Sequence, residues 1–333
     1  PNRLLEITPR FLTRVVKLLR RSNVDVISLD EMHRRLIEHD FKRRFVCLTF
    51  DDGYRDTLKY AYPILKKAEM PFTVYVASSF PDRLGELWWL ALEAVIARNA
   101  RIGLVLDGKN RTFDCRTLDE KRALYEEIYW WLRRRPSETE LRDAVRNLAA
   151  CYSVDLSAFC KDLCMDWQEL SQLADDPLVT IGAHTVNHLM LSKLSDKAAR
   201  SEMELSRSII EAGLGRRPQH LSYPYGDATA AGPREFALAA ALGFKTAVTT
   251  RPGVVTYGHI ASGNIHPAPV IDVADPEQVR RVRLFADAVH RLARRMGGTV
   301  TGEHGVGLTR IAYMREEHGP ALDVMLALQR ALD

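Results

Sequence analysis

Long hydrophobic runs, a large charge of one sign and regularly spaced cysteines are all missing from this sequence of 333 residues. Because no apolar run is long enough to cross a bilayer, the sequence argues against a membrane-spanning protein. Its 47 basic and 43 acidic residues give a net charge of only +4, and the short arginine runs lack the clustered charge that nucleic-acid binding requires. We therefore expect neither a membrane span nor a nucleic-acid partner.

Cysteine is scarce, with five residues at irregular positions. Cys160 and Cys164 lie four residues apart, but no second pair completes a zinc site, and the odd count does not suit a disulfide framework. We interpret the thiols as reduced and structural. Together with the absence of a recognisable signal peptide, this interpretation predicts a cytoplasmic location for the printed sequence.

Predicted strands and helices alternate through much of the sequence. Residues 45–50 and 71–78 are apolar and predict buried strands, and a helical pattern over 56–70 separates them. A strand, a helix and a strand in this order are typical of a parallel βαβ unit. Upstream, residues 7–21 are predicted to form a helix with Thr8 as its N-cap. The alternation returns later, in predicted strands over 179–184 and 244–250, a predicted strand and turn over 220–226, and predicted helices over 195–214 and 233–243. The sequence therefore predicts an α/β fold built on a parallel sheet.

Residues 82–170 differ from the segments on either side, because their apolar residues have helical spacing. We interpret this stretch as a helical insertion between barrel strands. Adjacent tryptophans occur twice in it, as Trp88-Trp89 and Trp130-Trp131. They indicate either packing in a core or a sugar-stacking surface near a site.

The first predicted strand ends in two adjacent carboxylates and a glycine, Asp51-Asp52-Gly53. Alone, this pattern is typical of a turn, because Asp bonds its own backbone and Gly accepts positive φ. His184 and His188 change the interpretation, since two imidazoles four residues apart at another strand end can face one metal ion. With one carboxylate they form a 2-His-1-carboxylate set with open positions. Parallel barrel strands end on the same face, so we expect these residues to meet.

Three motifs together resemble a known family. Residues 49–53 (TFDDG), 184–188 (HTVNH) and 223–226 (YPYG) resemble, in order and spacing, the motifs of polysaccharide deacetylases of the NodB-homology type, carbohydrate esterase family 4. The resemblance covers about residues 1–254. It implies a distorted (β/α)7-type barrel that hydrolyses N-acetyl groups on GlcNAc-containing oligosaccharides or polysaccharides, such as chitooligosaccharides, and releases acetate.

The resemblance also implies roles for five residues. Asp52, His184 and His188 would hold a divalent metal ion, with zinc as the first choice and cobalt, nickel or manganese as alternatives. Asp51 would be the catalytic general base, and the backbone N–H of Tyr225 would bind the oxyanion. Two neighbouring carboxylates can take different roles because the metal neutralises one and leaves the other to titrate.

The sequence departs from the family pattern in two places. Ser222 stands where the family often has an arginine that orients the base, and no Leu-x-His motif, the source of the family's general acid, precedes Val255. The general acid is therefore unassigned, and an inactive glycan-binding relic is an alternative to an active deacetylase. A further hypothesis gives His259 or His266 the role of the missing acid.

The last part of the sequence resembles a different family. The segments YGHIASGNIH and GGTVTGEHGVG resemble the C-terminal domain of FAD-linked oxidases of the glycolate oxidase and D-lactate dehydrogenase type. Carried over from that family, His259, His266 and Glu303 would be metal ligands and His304 would be the base. This is another set of two histidines and one carboxylate.

That family binds its flavin mainly in a separate upstream domain, and nothing in residues 1–254 resembles such a domain. We therefore expect FAD only through a partner chain, and a flavin-dependent 2-hydroxy-acid oxidoreductase is a second alternative function. Ala261 and Ser262 replace the Gly-Asp that is usual in the family. The predicted domains are a deacetylase domain over 1–254 and a small α+β appendage over 255–333.

Overall fold

A computed structural model describes residues 6–251, 254–259, 264–269, 276–295 and 311–332. The chain divides into two compact units, Pro1–Arg251 and Pro252–Asp333. The assignment of these units to the domains predicted over 1–254 and 255–333 stays a prediction.

In the first unit, strands and helices alternate except in one stretch that is mostly helical. The strands are β1 (Val24–Val26), β2 (Arg44–Val46), β3 (Leu48–Phe50), β4 (Phe72–Val76), β5 (Arg101–Leu106), β6 (Lys109–Asp114), β7 (Val179–Ala183), β8 (His220–Ser222) and β9 (Thr246–Val248). The helices are α1 (Pro9–Arg21), α2 (Leu29–Ile37), α3 (Tyr62–Lys67), α4 (Trp88–Arg98), α5 (Leu118–Arg133), α6 (Glu138–Cys151), α7 (Leu156–Leu163), α8 (Trp167–Ala174), α9 (Asp196–Leu214) and α10 (Pro233–Ala241). A π-helical turn, Thr57–Ala61, leads directly into α3.

The main sheet of this unit is parallel. β3, β4, β7, β8 and β9 lie side by side in that order, and β1 pairs in parallel with β2. Only Cys47 separates β2 from β3, so one extended segment contributes to both sheets. The strands form a curved half-barrel with helices in the connections, which confirms the predicted α/β fold of the barrel type.

Local sequence explains where several of these elements begin and end. Thr8 caps α1, as predicted, because its side chain accepts a hydrogen bond from the backbone N–H of Phe11. Ser195 caps α9 in the same way, and α9 ends at Gly215, whose left-handed φ of 68° suits glycine. β4 has a neighbour on each side and all five of its residues are buried, as expected for an apolar strand inside a parallel sheet.

Between β4 and β7 the chain forms an insertion of four helices, α4 to α7, and one hairpin, and then α8, whose Leu170 and Leu173 belong to the main core. The insertion has a hydrophobic core of its own, in which Trp88 and Ile128 are fully buried. The hairpin, an antiparallel pair of β5 and β6, is an addition to the helices expected over 82–170. Its turn, Asp107-Gly108, has φ of 51° and 75°. Asp-Gly favours this geometry in two-residue hairpin turns.

The second unit has strands and helices in separate runs. β10 (Val254–His259) pairs antiparallel with β11 (Asn264–Pro269). The helices described after them are α11 (Pro276–Arg295), α12 (Ile311–His318) and α13 (Ala321–Leu332). This arrangement agrees with the predicted small α+β appendage.

Two predictions from composition can be compared with the structure. None of the described helices is both long and apolar enough to span a membrane. All five cysteines lie within residues 6–251 and are free thiols, and Cys115, Cys160 and Cys164 are buried. The cytoplasmic location stays a prediction.

Candidate metal centre and active site

Three potential metal ligands meet at one end of the parallel sheet. Asp52 follows β3 and His184 follows β7, while His188 lies four residues further along the same loop. The Nε2 atoms of His184 and His188 lie 3.4 Å and 3.3 Å from Oδ1 of Asp52. Ligand atoms of the three residues all lie within 4.8 Å of one another. The structure thus brings together the three residues that the sequence predicts as ligands.

This donor set fits a divalent cation. Oδ1 of Asp52 is buried and has no hydrogen-bond partner among the described residues, although buried carboxylate oxygens normally have one. Nδ1 of His184 lies 2.8 Å from the backbone O of Ser222. Because a carbonyl only accepts, Nδ1 carries the hydrogen, and in the neutral ring the lone pair of Nε2 faces Asp52. A cation between these atoms would remove the repulsion between the lone pair and the carboxylate.

The electrostatics of the cluster also suit metal binding. Burial lowers the pKa of His188 to about 3, so this imidazole is neutral at neutral pH. Burial acts to raise the pKa of Asp52, but His188 and His184 outweigh it and hold that pKa below its usual range. For His184, burial acts to lower the pKa, and the carboxylates of Asp51 and Asp52 raise it overall. A bound cation would therefore compete with a proton on His184 rather than on His188.

Asp51 lies next to the three ligands and is not a member of their set. The residue as a whole is exposed at the end of the sheet. Protein atoms close to its carboxyl group partly desolvate it and raise its pKa above the usual range, although the His184 ring acts to lower that pKa. The Ser222 hydroxyl lies beside this carboxylate and acts to lower its pKa. An accessible carboxylate with a raised pKa suits the base role that the sequence predicts.

The turn after β8 has an uncommon backbone conformation. Tyr225 and Gly226 both have left-handed φ, 63° and 65°, which is sterically disfavoured for tyrosine. A Cβ atom on Gly226 would lie 2.4 Å from the backbone N of Thr250, so glycine is required there. Oγ1 of Thr250 donates to the backbone O of Tyr225 at 2.7 Å. Within residues 6–251, the backbone N–H of Tyr225 donates no hydrogen bond, so it is available for the predicted oxyanion role.

Side chains from the insertion surround Tyr225 and His188. Nε1 of Trp88 donates to the hydroxyl of Tyr225 at 2.8 Å. The guanidinium group of Arg133 lies 4.2 Å from the centre of the Tyr225 ring, in a cation–π contact. The ring of Trp89 lies 5.0 Å from that of His188. The insertion therefore contributes directly to the surroundings of the candidate site.

The two tryptophan pairs divide between core and surface. Trp88 is fully buried, so packing explains it. Trp130 is 42% exposed, and Trp131 donates from Nε1 to Asp107 in the hairpin turn. Trp89 is half-buried beside a predicted ligand. Of the two interpretations, a core role suits Trp88 and a position near the site suits Trp89.

Sequence patterns missed two neighbours of the site. The hydroxyl of Tyr54 accepts a hydrogen bond from Nε1 of Trp89 at 3.2 Å, and its position two residues after Asp52 was a usable signal. Arg133 comes from α5 and donates to Asp227 at 2.7 Å. These two residues are 94 positions apart, so no local pattern indicates their contact.

The second predicted set lies largely outside the described residues. His259 ends β10 and His266 lies in β11, where the backbone alone is described. Glu303 and His304 lie outside the described residues. Their roles as metal ligands and base stay predictions.

Potential metal ligands at the carboxyl ends of parallel strands are typical of an enzyme of the α/β barrel type. Residues 38–247 match the family model described as polysaccharide deacetylase. The chain belongs to the polysaccharide deacetylase family. Residues 232–333 match a second family model, that of the C-terminal domain of FAD linked oxidases.

Individual proteins are similar to parts of this chain. The C-terminal part is similar to a probable mitochondrial D-lactate dehydrogenase of Danio rerio, with 47% identity over 77 residues, which cover 23% of this chain and 16% of that protein. It is also similar to glycolate oxidase subunit GlcD of Bacillus subtilis, with 35% identity over 81 residues, 24% of this chain and 17% of that protein. The chain thus spans about a sixth of the length of these relatives. The Streptococcus pyogenes deacetylase PplD, solved in complex with acetate, is similar at 17% identity and a TM-score of 0.48, over 84% of this chain and 91% of that chain.

Proposed function

We propose that this chain is a metal-dependent deacetylase that removes N-acetyl groups from GlcNAc-containing oligosaccharides or polysaccharides, as a chitooligosaccharide deacetylase does. One observation carries the proposal. The Nε2 atoms of His184 and His188 both face Oδ1 of Asp52, a buried oxygen that has no hydrogen-bond partner among the described residues. Membership of the polysaccharide deacetylase family supports the reaction type. The products would be acetate and a free amine on the sugar.

Asp52, His184 and His188 would hold the metal ion. Zinc is the first choice, because two imidazoles and one carboxylate with open positions suit it, and cobalt, nickel and manganese are alternatives. When bound, the ion supplies Lewis-acid chemistry toward the acetyl carbonyl. The backbone O of Ser222 holds the His184 ring in the tautomer that metal binding needs.

Asp51 would transfer the proton in this reaction. It accepts a proton from the attacking water as the water oxygen bonds to the acetyl carbon. The backbone N–H of Tyr225 donates a hydrogen bond to the carbonyl oxygen as negative charge develops on that oxygen. When the C–N bond breaks, the leaving amine needs a proton. We propose that protonated Asp51 returns it, since no Leu-x-His motif precedes Val255.

Acetate release from a chitin oligosaccharide tests the proposal. Chelated protein is assayed with and without added zinc or cobalt, beside Asp51→Asn and the control Asp119→Asn, whose side chain is 95% exposed on α5. We expect metal-dependent release that Asp51→Asn loses and Asp119→Asn keeps. Absence of release from folded, metal-loaded protein would contradict the proposal. Sugar binding without release would then support the glycan-binding relic.

A second function is proposed for the C-terminal part. Its 47% identity over 77 residues to a D-lactate dehydrogenase favours a flavin-dependent 2-hydroxy-acid oxidoreductase in which a partner chain supplies the FAD domain. FAD is not expected on this chain alone, because residues 1–254 contain no sequence that resembles such a domain. Flavin that co-purifies with the protein and its partner, and is reduced by D-lactate, would support this function. A colourless preparation that does not react would contradict it.

A further inference from the structure

His188 has a backbone conformation that is sterically disfavoured. Its φ is 54°, and Thr185 in the same loop has a φ of 63°. Left-handed conformations are rare for residues with a Cβ atom. They persist at functional sites where the surrounding structure holds them in place. The contacts of residues 185–190 therefore determine where the His188 imidazole lies.

Two side chains of α6, in the insertion, contact this loop on either side of His188. Nη2 of Arg142 donates to the backbone O of Asn187, the preceding residue, at 2.9 Å. Oε1 of Glu138 accepts from the backbone N–H of Met190, two residues after His188, also at 2.9 Å. Arg142 and Glu138 are buried, with 8% and 5% of their surfaces exposed. The backbone is thus fixed on both sides of the candidate ligand.

The same two side chains belong to a buried ion-pair network. Nη1 of Arg142 lies 3.1 Å from Oε2 of Glu86, and Nε of Arg142 lies 3.5 Å from Oε2 of Glu138. Because burying charges costs solvation free energy even when they are paired, packing alone does not account for charged residues here. From α9, Glu202 accepts hydrogen bonds from two further backbone N–H groups of the loop. The insertion and the barrel helix therefore both hold the loop.

We propose that Glu138 and Arg142 are positioning residues for the candidate metal ligand His188, so that the insertion is a working part of the metal centre. Each fixes a backbone group close to His188 in sequence. Loss of these contacts would allow the loop to relax toward a right-handed conformation and move Nε2 of His188 away from Asp52. This positioning role rests on the proposed metal centre.

Metal affinity, measured apart from activity, tests this role. Cobalt is titrated into chelated wild-type protein and into Arg142→Met, Glu138→Gln, Arg146→Met and the double variant Glu138→Gln/Arg142→Met, and the visible absorbance of Co(II) is recorded. Arg146 is the matched control, because it lies on the same helix and its hydrogen bonds go to Glu86 and Asp143. Glu138→Gln keeps an acceptor for the N–H of Met190. Unfolding curves without metal show which variants fold.

We expect Arg142→Met to bind cobalt about 10- to 100-fold more weakly than the wild type, with an altered Co(II) spectrum. Arg146→Met and Glu138→Gln should bind close to the wild type. The double variant removes both charges and leaves Glu86 paired with Arg146, so weaker binding by this variant cannot come from an unpaired buried charge.

Three results would overturn the positioning role. The first is wild-type affinity in the folded double variant. The second is a loss of cobalt affinity in Arg146→Met equal to that in Arg142→Met, because any substitution of an arginine on α6 would then have the same effect. The third is a wild-type protein that binds no metal, which would overturn the proposed metal centre itself and the positioning role with it.

Discussion

The ends of the sheet strands and the helical insertion contribute different things to the candidate centre. The loops after β3 and β7 carry the predicted ligands Asp52, His184 and His188, and the turn after β8 carries the N–H of Tyr225. The insertion carries none of the proposed ligands or bases. Its side chains instead contact the loops that carry them. We propose that the sheet ends supply the reacting groups of this centre and that the insertion orients them.

Charged groups connect the insertion to the sheet loops. Arg133 donates to Asp227 at 2.7 Å, beside the turn that contains Tyr225, and Arg142 donates to the backbone O of Asn187 at 2.9 Å. The Asp227 carboxylate is 37% exposed, so water partly screens its ion pair with the buried Arg133, and the bond from Arg142 goes to a neutral backbone oxygen. These contacts join the two regions, and the variants below test whether a substitution in the insertion affects the groups on the sheet side.

Replacement of a ligand on the sheet side should cause the greatest loss. Asp52→Ala removes the carboxylate oxygen that both imidazoles face, so we expect a loss of metal affinity beyond the roughly 10- to 100-fold typical of residues behind a ligand, and no acetate release. Asp56→Ala is the control, because Asp56 is exposed and makes no side-chain capping bond. Equal metal content in purified Asp52→Ala and wild-type protein would place the metal elsewhere.

The turn after β8 should be the next most sensitive position. In Gly226→Ala the added methyl would lie 2.4 Å from the backbone N of Thr250, at a φ of 65°. We expect the free energy of unfolding to fall by more than the roughly 1–2 kcal/mol that a left-handed conformation alone costs, and kcat to fall as Tyr225 moves. Gly215→Ala is the matched control, because the φ of Gly215 is also left-handed, at 68°, and no atom lies within 4 Å of the added methyl. Equal losses for the two variants in urea unfolding would contradict a clash at Gly226.

A smaller effect is expected when the insertion loses its contact with Tyr225. Arg133→Met keeps an unbranched side chain and removes both the cation beside the Tyr225 ring and the bond to Asp227. Loss of an oxyanion donor costs about 10²- to 10³-fold in kcat. In Arg133→Met the N–H of Tyr225 is still present and only its orientation is less fixed. We therefore expect kcat to fall roughly tenfold, with cobalt affinity unchanged. The exposed neighbour Arg134→Met is the control. Unchanged kcat in folded Arg133→Met would mean that the turn holds Tyr225 without the insertion.

Sequence patterns predicted that Asp52, His184 and His188 lie together at one end of the sheet, as they do, while their role as ligands stays a prediction. The three predicted ligands lie in short motifs at the ends of apolar strands, and the parallel sheet places such ends on one face. The cap at Thr8 was predictable for a similar reason, because it depends on residues within one turn. The hairpin over 101–114 was missed although Asp107-Gly108 is a turn signal, because helical patterns lie on both sides of it.

The contacts of the insertion were not predictable in this way. Trp88 and Tyr225 are 137 positions apart, and Arg133 and Asp227 are 94 apart. Neither pair produces a periodic or local pattern. The left-handed φ of His188 and Tyr225 also has no signal in the residue type, since glycine usually marks such positions. Tertiary contacts, rather than local propensity, determine these conformations.

The second unit should matter least for acetate release. His259→Ala and His266→Ala test the hypothesis that one of these residues supplies the proton for the leaving amine. Removal of a general acid typically costs about 10²- to 10⁴-fold in rate. Because we propose that Asp51 returns the proton it takes from water, we expect a much smaller loss of kcat in both variants, with Asp51→Asn as the reference for loss of an acid–base group. A loss of about 10²-fold or more in either variant, at unchanged metal affinity, would assign the proton donor to the second unit. In that case the sheet and the insertion alone would not account for the reaction.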